Sequence, residues 1–159
     1  SRLAPELARR GRLVLRGPGE HEHAFQAELA RRAREVGAEL AGPIPRAEVP
    51  AALAALDLLV VPSLWYENAP LVILEARAVG TPVVVSDAGG MAELVTEGVN
   101  GRRFRLGDAG DLARVLAELL ADPAALAALR GGPPVPDAGT DAARMEAIYA
   151  EVLAEARSR

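Results

Sequence analysis

The sequence has no cysteine and only two histidines, His21 and His23, in 159 residues. A disulfide scaffold and a thiolate metal site are therefore excluded. Lysine is absent as well, because all 18 basic side chains are arginine. Chemistry that needs a lysine amine must draw it from outside this chain. Aromatic residues make up 3% of the total, so a core has to be assembled from Leu, Val, Ile and Ala. Excess positive charge is missing too: the formal net charge is −4, which removes the electrostatic footprint of a nucleic-acid binder. No apolar run approaches the roughly 20 residues of a membrane span, and no signal-peptide pattern opens the chain. These absences lead us to expect a cytoplasmic protein, with peripheral membrane association left open.

What is present is a regular alternation. Half of the residues are hydrophobic, enough for one domain with a buried core, taken as residues 1–159. Short β-branched runs at 12–16, 38–41, 58–61, 81–86 and 102–106 read as strands. Between them lie helical patterns at 20–36, 47–56, 70–79, 91–96, 108–120 and 122–130, after the tail of another over 1–10. The 20–36 helix has acidic residues at its start, arginines at its end and Gly37 as its stop. Glycine turns are expected at 17–19 and 87–90, and a Pro/Gly-rich loop at 131–139. A final helix over 142–156 repeats Met145, Ile148, Tyr149, Val152 and Leu153 on one face, which is expected to point inward. Strands and helices in this order give an α/β class, a Rossmann-like doubly wound parallel sheet of about five strands with helices on both faces.

The chemistry gathers in one stretch, residues 58–75. An apolar strand stops at Pro62 and Ser63, and a polar loop carries Trp65, Tyr66, Glu67 and Asn68. Pro70 then suits the first turn of a helix, since its φ is preset and its missing N–H is not needed there. A carboxylate at the C-terminal end of a parallel strand, beside a helix N-terminus, marks the crevice where open α/β sheets bind ligands. A second carboxylate, Glu75, lies inside the apolar helix, where facing the core would be costly. The plainer alternatives are that Glu67 caps that helix and that Glu75 pairs with Arg77 at a solvent edge. Trp65 and Tyr66 either stack on a ligand or pack over their own helix. Gly89-Gly90 and Gly17-Pro18-Gly19 read as turn chemistry, because the latter is neither a Walker loop nor a full G-x-G-x-x-G. His21 and His23 read as solvated surface, and Arg102, Arg103 and Arg105 as a solvated or inter-domain face.

Glu67 and Glu75 are separated by seven residues, and Gly80-Thr-Pro-Val-Val-Val-Ser-Asp-Ala-Gly-Gly90 and Glu93 follow. In that context the segment resembles the C-terminal half of a family 4 glycosyltransferase, a group with the GT-B fold of two Rossmann-like domains. The resemblance runs from about Arg12 to Leu120. It implies binding of a nucleoside diphosphate-sugar and transfer of its hexose to an acceptor with retention of configuration. By the same resemblance Glu67 contacts the donor hexose near the reacting carbon. The backbone amides of Asn68, Ala69 and Leu71 hold sugar hydroxyls or the distal phosphate. Glu75 takes the ribose hydroxyls, and Ile44 lies by the base. No cofactor and no obligatory divalent metal are implied, because cations and helix dipoles offset the leaving diphosphate.

The chain departs from the family in two places. Asn68-Ala-Pro70 stands where many relatives have Gly-Phe-Gly, a difference that bears on sugar preference. The family's first strand, with its Gly-Arg element and Lys, is not found in this sequence; it would lie centrally, between residues 12–16 and 58–61, so either residues upstream of Ser1 supply it or the sheet closes differently. The acceptor domain is absent likewise, so the isolated chain is expected to be inactive and its partners to be a donor, an acceptor and the missing N-terminal domain. Two rival readings keep the same residues. One is a non-catalytic nucleotide-sugar-binding module, and the other is a structural or assembly domain.

Overall fold

A computed structural model describes residues 11–17, 23–132 and 134–157, without the side chains of residues 23 and 24. The expected helix tail over 1–10, most of the 17–19 turn, the acidic start of the 20–36 helix and both histidine side chains lie outside the described residues. Among the described residues five strands form: β1 (Val14–Arg16), β2 (Glu39–Ala41), β3 (Leu59–Val61), β4 (Val83–Ser86) and β5 (Gly101–Phe104). They alternate with α1 (His23–Glu35), α2 (Val49–Ala54), α3 (Leu71–Ala78), α4 (Gly89–Leu94), α5 (Ala109–Ala121), α6 (Pro123–Ala128) and α7 (Ala138–Arg157).

All pairings are parallel, as the βα alternation requires. The five strands nevertheless fall into two sheets, β1–β2 and β3–β4–β5. Strands β1 and β3 are not paired, so no single five-stranded sheet closes among the described residues. Residues 14 to 16 pair with 39 to 41 in register, and Leu59, Val60 and Val61 pair with Val83, Val84 and Val85.

Strand β4 is the centre of the larger sheet, and all four of its residues are buried. Alternation divides them between two cores. Val83 and Val85 join Leu53, Ile73, Ala76 and Met91 under α2, α3 and α4. Val84 joins Phe104, Val115, Leu119 and Leu129 under α5 and α6. Helices therefore cover both faces, and the aliphatic composition is what fills them.

The termini of the helices follow local chemistry. Helix α3 ends in a Schellman arrangement: Gly80 (φ +74°) donates to Arg77 O at 3.0 Å and Thr81 N to Ala76 O at 2.8 Å. The Thr81 hydroxyl donates to Leu53 O at 2.8 Å and ties the end of α2 to the same corner. Asp108 caps α5 by accepting from the amides of Gly110 and Asp111, and Asp122 caps α6 in the same way.

Two expectations need correction. The 87–90 turn is shorter than expected, because Gly89 and Gly90 already belong to the first turn of α4. The last helix is longer than expected, and its apolar stripe does not point inward. Met145, Ile148, Tyr149, Val152 and Leu153 are 42 to 61% exposed, and no described residue of α7 is buried. Periodicity identifies which face of a helix is apolar, but only a neighbouring surface can bury it. Among the described residues no such surface buries α7.

Candidate functional site

The stretch expected to carry the chemistry folds as the sequence implied, with the loop 62–70 leaving the C-terminal end of β3 and entering α3. Pro70 is the residue before the first helical turn (φ −61°, ψ 113°) and has no side-chain cap. Glu67 therefore does not cap α3. Among the described residues nothing accepts a hydrogen bond from the amides of Asn68, Ala69 or Leu71. Such amides at a helix N-terminus carry the positive end of the helix dipole.

Glu67 is half-buried and held from its own loop. The Ser63 hydroxyl donates to Glu67 Oε1 at 3.2 Å while accepting from the Trp65 amide at 3.3 Å. The Glu67 amide donates to Trp65 O at 2.9 Å. Ser63 is thus a residue that orients the glutamate, and sequence reasoning treated it only as a strand stop. The signal for it is the Ser-x-x-x-Glu spacing across a tight loop. From the other side, Gly90 N donates to the Glu67 carbonyl at 2.8 Å.

Glu75 is half-buried on α3, between the fully buried Ile73 and Ala76. Its carboxylate makes no hydrogen bond or ion pair to another described residue. Arg77, the partner suggested by the plainer reading, directs Nη1 to Leu94 O at 3.3 Å. Residues two apart on a helix do not face each other, which accounts for the missing pair. Ile44 stands half-buried on the loop after β2, in the smaller sheet. The structure thus brings Glu67, Asn68, Ala69 and Leu71 into one loop and helix start, sets Glu75 one turn further along α3, and leaves Ile44 on a separate element.

The aromatic pair is mostly exposed: Trp65 is 76% and Tyr66 70% accessible. Tyr66 also lies over α4, since a side-chain carbon built on Gly89 would stand 3.4 Å from its Cδ1. The arginines of β5 are taken up by carboxylates. Arg102 pairs with Glu97 and Glu118, and Arg103 with Asp87 at 3.3 Å and Glu97 at 3.8 Å. Hydrogen bonds that Arg102 donates to Glu97 and Glu118 hold its guanidinium above its usual range. A small cavity of about 40 Å³ lined by Gly80, Thr81, Asn100 and Arg130 lies at the N-terminal ends of β4 and β5. That is the opposite edge of the sheet from Glu67, and the Thr81, Asn100 and Arg130 side chains there are committed to backbone bonds. No helix is long and apolar enough to cross a membrane, and no group of His, Asp or Glu is placed to hold a metal ion, among the described residues.

With this geometry in place, the comparison that decides the family is a model of the glycosyl transferases group 1, which matches residues 2–122. The chain belongs to that family. Among relatives of this glycosyl transferase domain, the D-inositol 3-phosphate glycosyltransferase of Thermobispora bispora is 39% identical over 160 residues, covering 94% of this chain and 37% of its own. A glycogen synthase of Mycobacterium tuberculosis is 37% identical over 114 residues, 71% of this chain and 27% of its own. The sucrose-phosphate synthase of Thermosynechococcus elongatus superposes with a TM-score of 0.76 at 27% identity, over 96% of this chain and 42% of that one. Anabaena HepE in complex with UDP-glucose superposes with a TM-score of 0.70 at 29% identity, over 82% of this chain and 37% of that one. The group 1 domain therefore spans less than half the length of each of these four proteins. The fold of this chain, a parallel α/β architecture with helices on both faces, is shared with the two solved structures.

Proposed function

We propose that this chain is the donor-binding domain of a retaining glycosyltransferase that moves a hexose from a nucleoside diphosphate-sugar to an acceptor. One observation carries the reading. Glu67 is oriented at the mouth of β3, next to amides of Asn68, Ala69 and Leu71 that no described group uses. A carboxylate accepts strong charge-assisted bonds from sugar hydroxyls, and free amides at a helix start suit hydroxyl oxygens or phosphate. Glu67 is assigned to the donor hexose, Glu75 to the ribose hydroxyls and Ile44 to the base. The complex of HepE with UDP-glucose supports a uridine donor as the first to try.

The remaining parts belong elsewhere in the proposal. The β5 arginines are neutralised by Glu97, Glu118 and Asp87, so they are not the cations assigned to the diphosphate. The acceptor site comes from a further domain, and no divalent metal is required. The setting is cytoplasmic. Calorimetric titration of the chain with UDP-glucose and GDP-mannose tests the reading. Saturable binding of one donor that Glu75→Ala weakens supports it. No heat with either donor, in wild type and variant alike, overturns it in favour of a structural domain.

A further inference from the structure

Gly89 and Gly90 looked like a plain turn in the sequence, and the structure gives them closer company than a turn needs. A side-chain carbon built on Gly90 would overlap the Asn68 carbonyl oxygen and stand 2.5 Å from its carbonyl carbon and 3.1 Å from the Glu67 carbonyl oxygen. One built on Gly89 would stand 2.9 Å from the Glu67 carbonyl oxygen, and Gly89 has φ +50°, a conformation in which a side chain is strained. The contacts are with backbone, so no side chain can swing aside to make room. Gly90 N also donates to the Glu67 carbonyl at 2.8 Å. As one of the first amides of α4 it has no acceptor within its own helix.

Peptide planarity gives this packing a consequence. In a trans peptide the C=O and the following N–H point in opposite directions. The Glu67 and Asn68 carbonyls both face α4. The N–H groups of Asn68 and Ala69 therefore point away from α4, to the open side of the loop, where both residues are exposed. We propose that Gly90, seconded by Gly89, is a positioning residue that seats the Glu67–Asn68 backbone and so aims the amides of Asn68 and Ala69 at the donor. The inference rests on the role assigned to those amides above. Any side chain at position 90 lifts the loop, and the two amides turn with it.

The test compares wild type with Gly90→Ala, using Gly131→Ala as a control. A methyl at Gly131 meets only an ordinary contact, 3.7 Å from Ala128 O. The ligands are UDP-glucose (or GDP-mannose, whichever the wild type binds) and the matching nucleoside monophosphate. We expect Gly90→Ala to bind the monophosphate within about twofold of wild type and the nucleotide-sugar at least tenfold more weakly. Equal weakening of both ligands, or of neither, overturns the proposal. A donor-free measurement stands beside it: hydrogen exchange of the Glu67 amide, bonded to Trp65 O, should accelerate at least tenfold in Gly90→Ala while β4 keeps its protection. If the wild type binds neither donor, the functional reading fails and this exchange result still decides the seat. If Gly90→Ala does not fold, the wild-type Gly90 amide decides it. Among the described residues its acceptor is the Glu67 carbonyl, and rapid unprotected exchange there overturns the proposal.

Discussion

Glu75→Ala separates a binding carboxylate from a structural one. The side chain is half-buried in α3 without a described partner. Its removal therefore breaks no bond within the described fold. Two effects on stability oppose each other. Alanine is the better helix former by a few tenths of a kcal/mol, and relief of a partly desolvated carboxylate adds to that gain. Against it, two half-buried methylenes contribute about 1 kcal/mol at most. The net change should stay within about 1 kcal/mol, or roughly 2–4 °C in Tm for a chain of this size. Binding should respond differently. Hydrogen bonds to a charged acceptor contribute about 1.5–3 kcal/mol, and about 1.4 kcal/mol is tenfold in Kd. Donor affinity should fall by roughly 10- to 150-fold, with Glu75→Gln intermediate, because the amide keeps an acceptor but loses the charge. Calorimetry gives the affinity and differential scanning the Tm. A Tm drop of roughly 8 °C or more, with donor affinity unchanged, would refute the reasoning and make Glu75 a structural residue.

Three further outcomes follow from the fold. Met91→Ala empties a fully buried site between α4 and β4 and should cost about 2–5 kcal/mol, read from urea melts; a loss under about 1 kcal/mol would mean that the site collapses. Asp111 accepts from the Arg105 amide at 2.8 Å and from Arg114, and these bonds hold its carboxyl below the usual range. A depressed folded pKa stabilises above the unfolded value of roughly 4 and is lost as pH falls through the folded one. Asp111→Asn should therefore flatten the acid limb of Tm below about pH 4; parallel limbs in variant and wild type would count against it. Removing 138–157 should leave the Tm of the remainder within about 2 °C, since α7 buries none of its described residues; a larger fall would show that the helix packs on the domain.

Several parts of the molecule were legible because they depend on residues near one another in the chain. The strand at 59–61, the loop with Glu67, Pro70 before a helix and Gly80 after it follow from local rules of strand stops, preset φ and left-handed caps. The spacing of Glu67 and Glu75 likewise belongs to a strand, a loop and one helix. The Gly89-Gly90 seat was not legible. Its reason is a contact with a backbone segment about twenty positions earlier, and nothing in the neighbouring residues records it. The role of Ser63 was hidden for a related reason, because a hydroxyl that ends a strand and one that orients a carboxylate are spelled alike.

The sequence by itself therefore determined the α/β class, the order of strands and helices, the family and the location of the candidate chemistry. These follow from periodicity, turn residues and short motifs, all of which are encoded within a few residues. Only the tertiary structure decided that the five strands form two sheets, that the apolar stripe of α7 stays exposed, and that two glycines hold the Glu67 loop. Those outcomes depend on which surfaces meet across long separations in the chain. An amphipathic pattern states that a face is apolar, and only a packed neighbour determines whether it is buried.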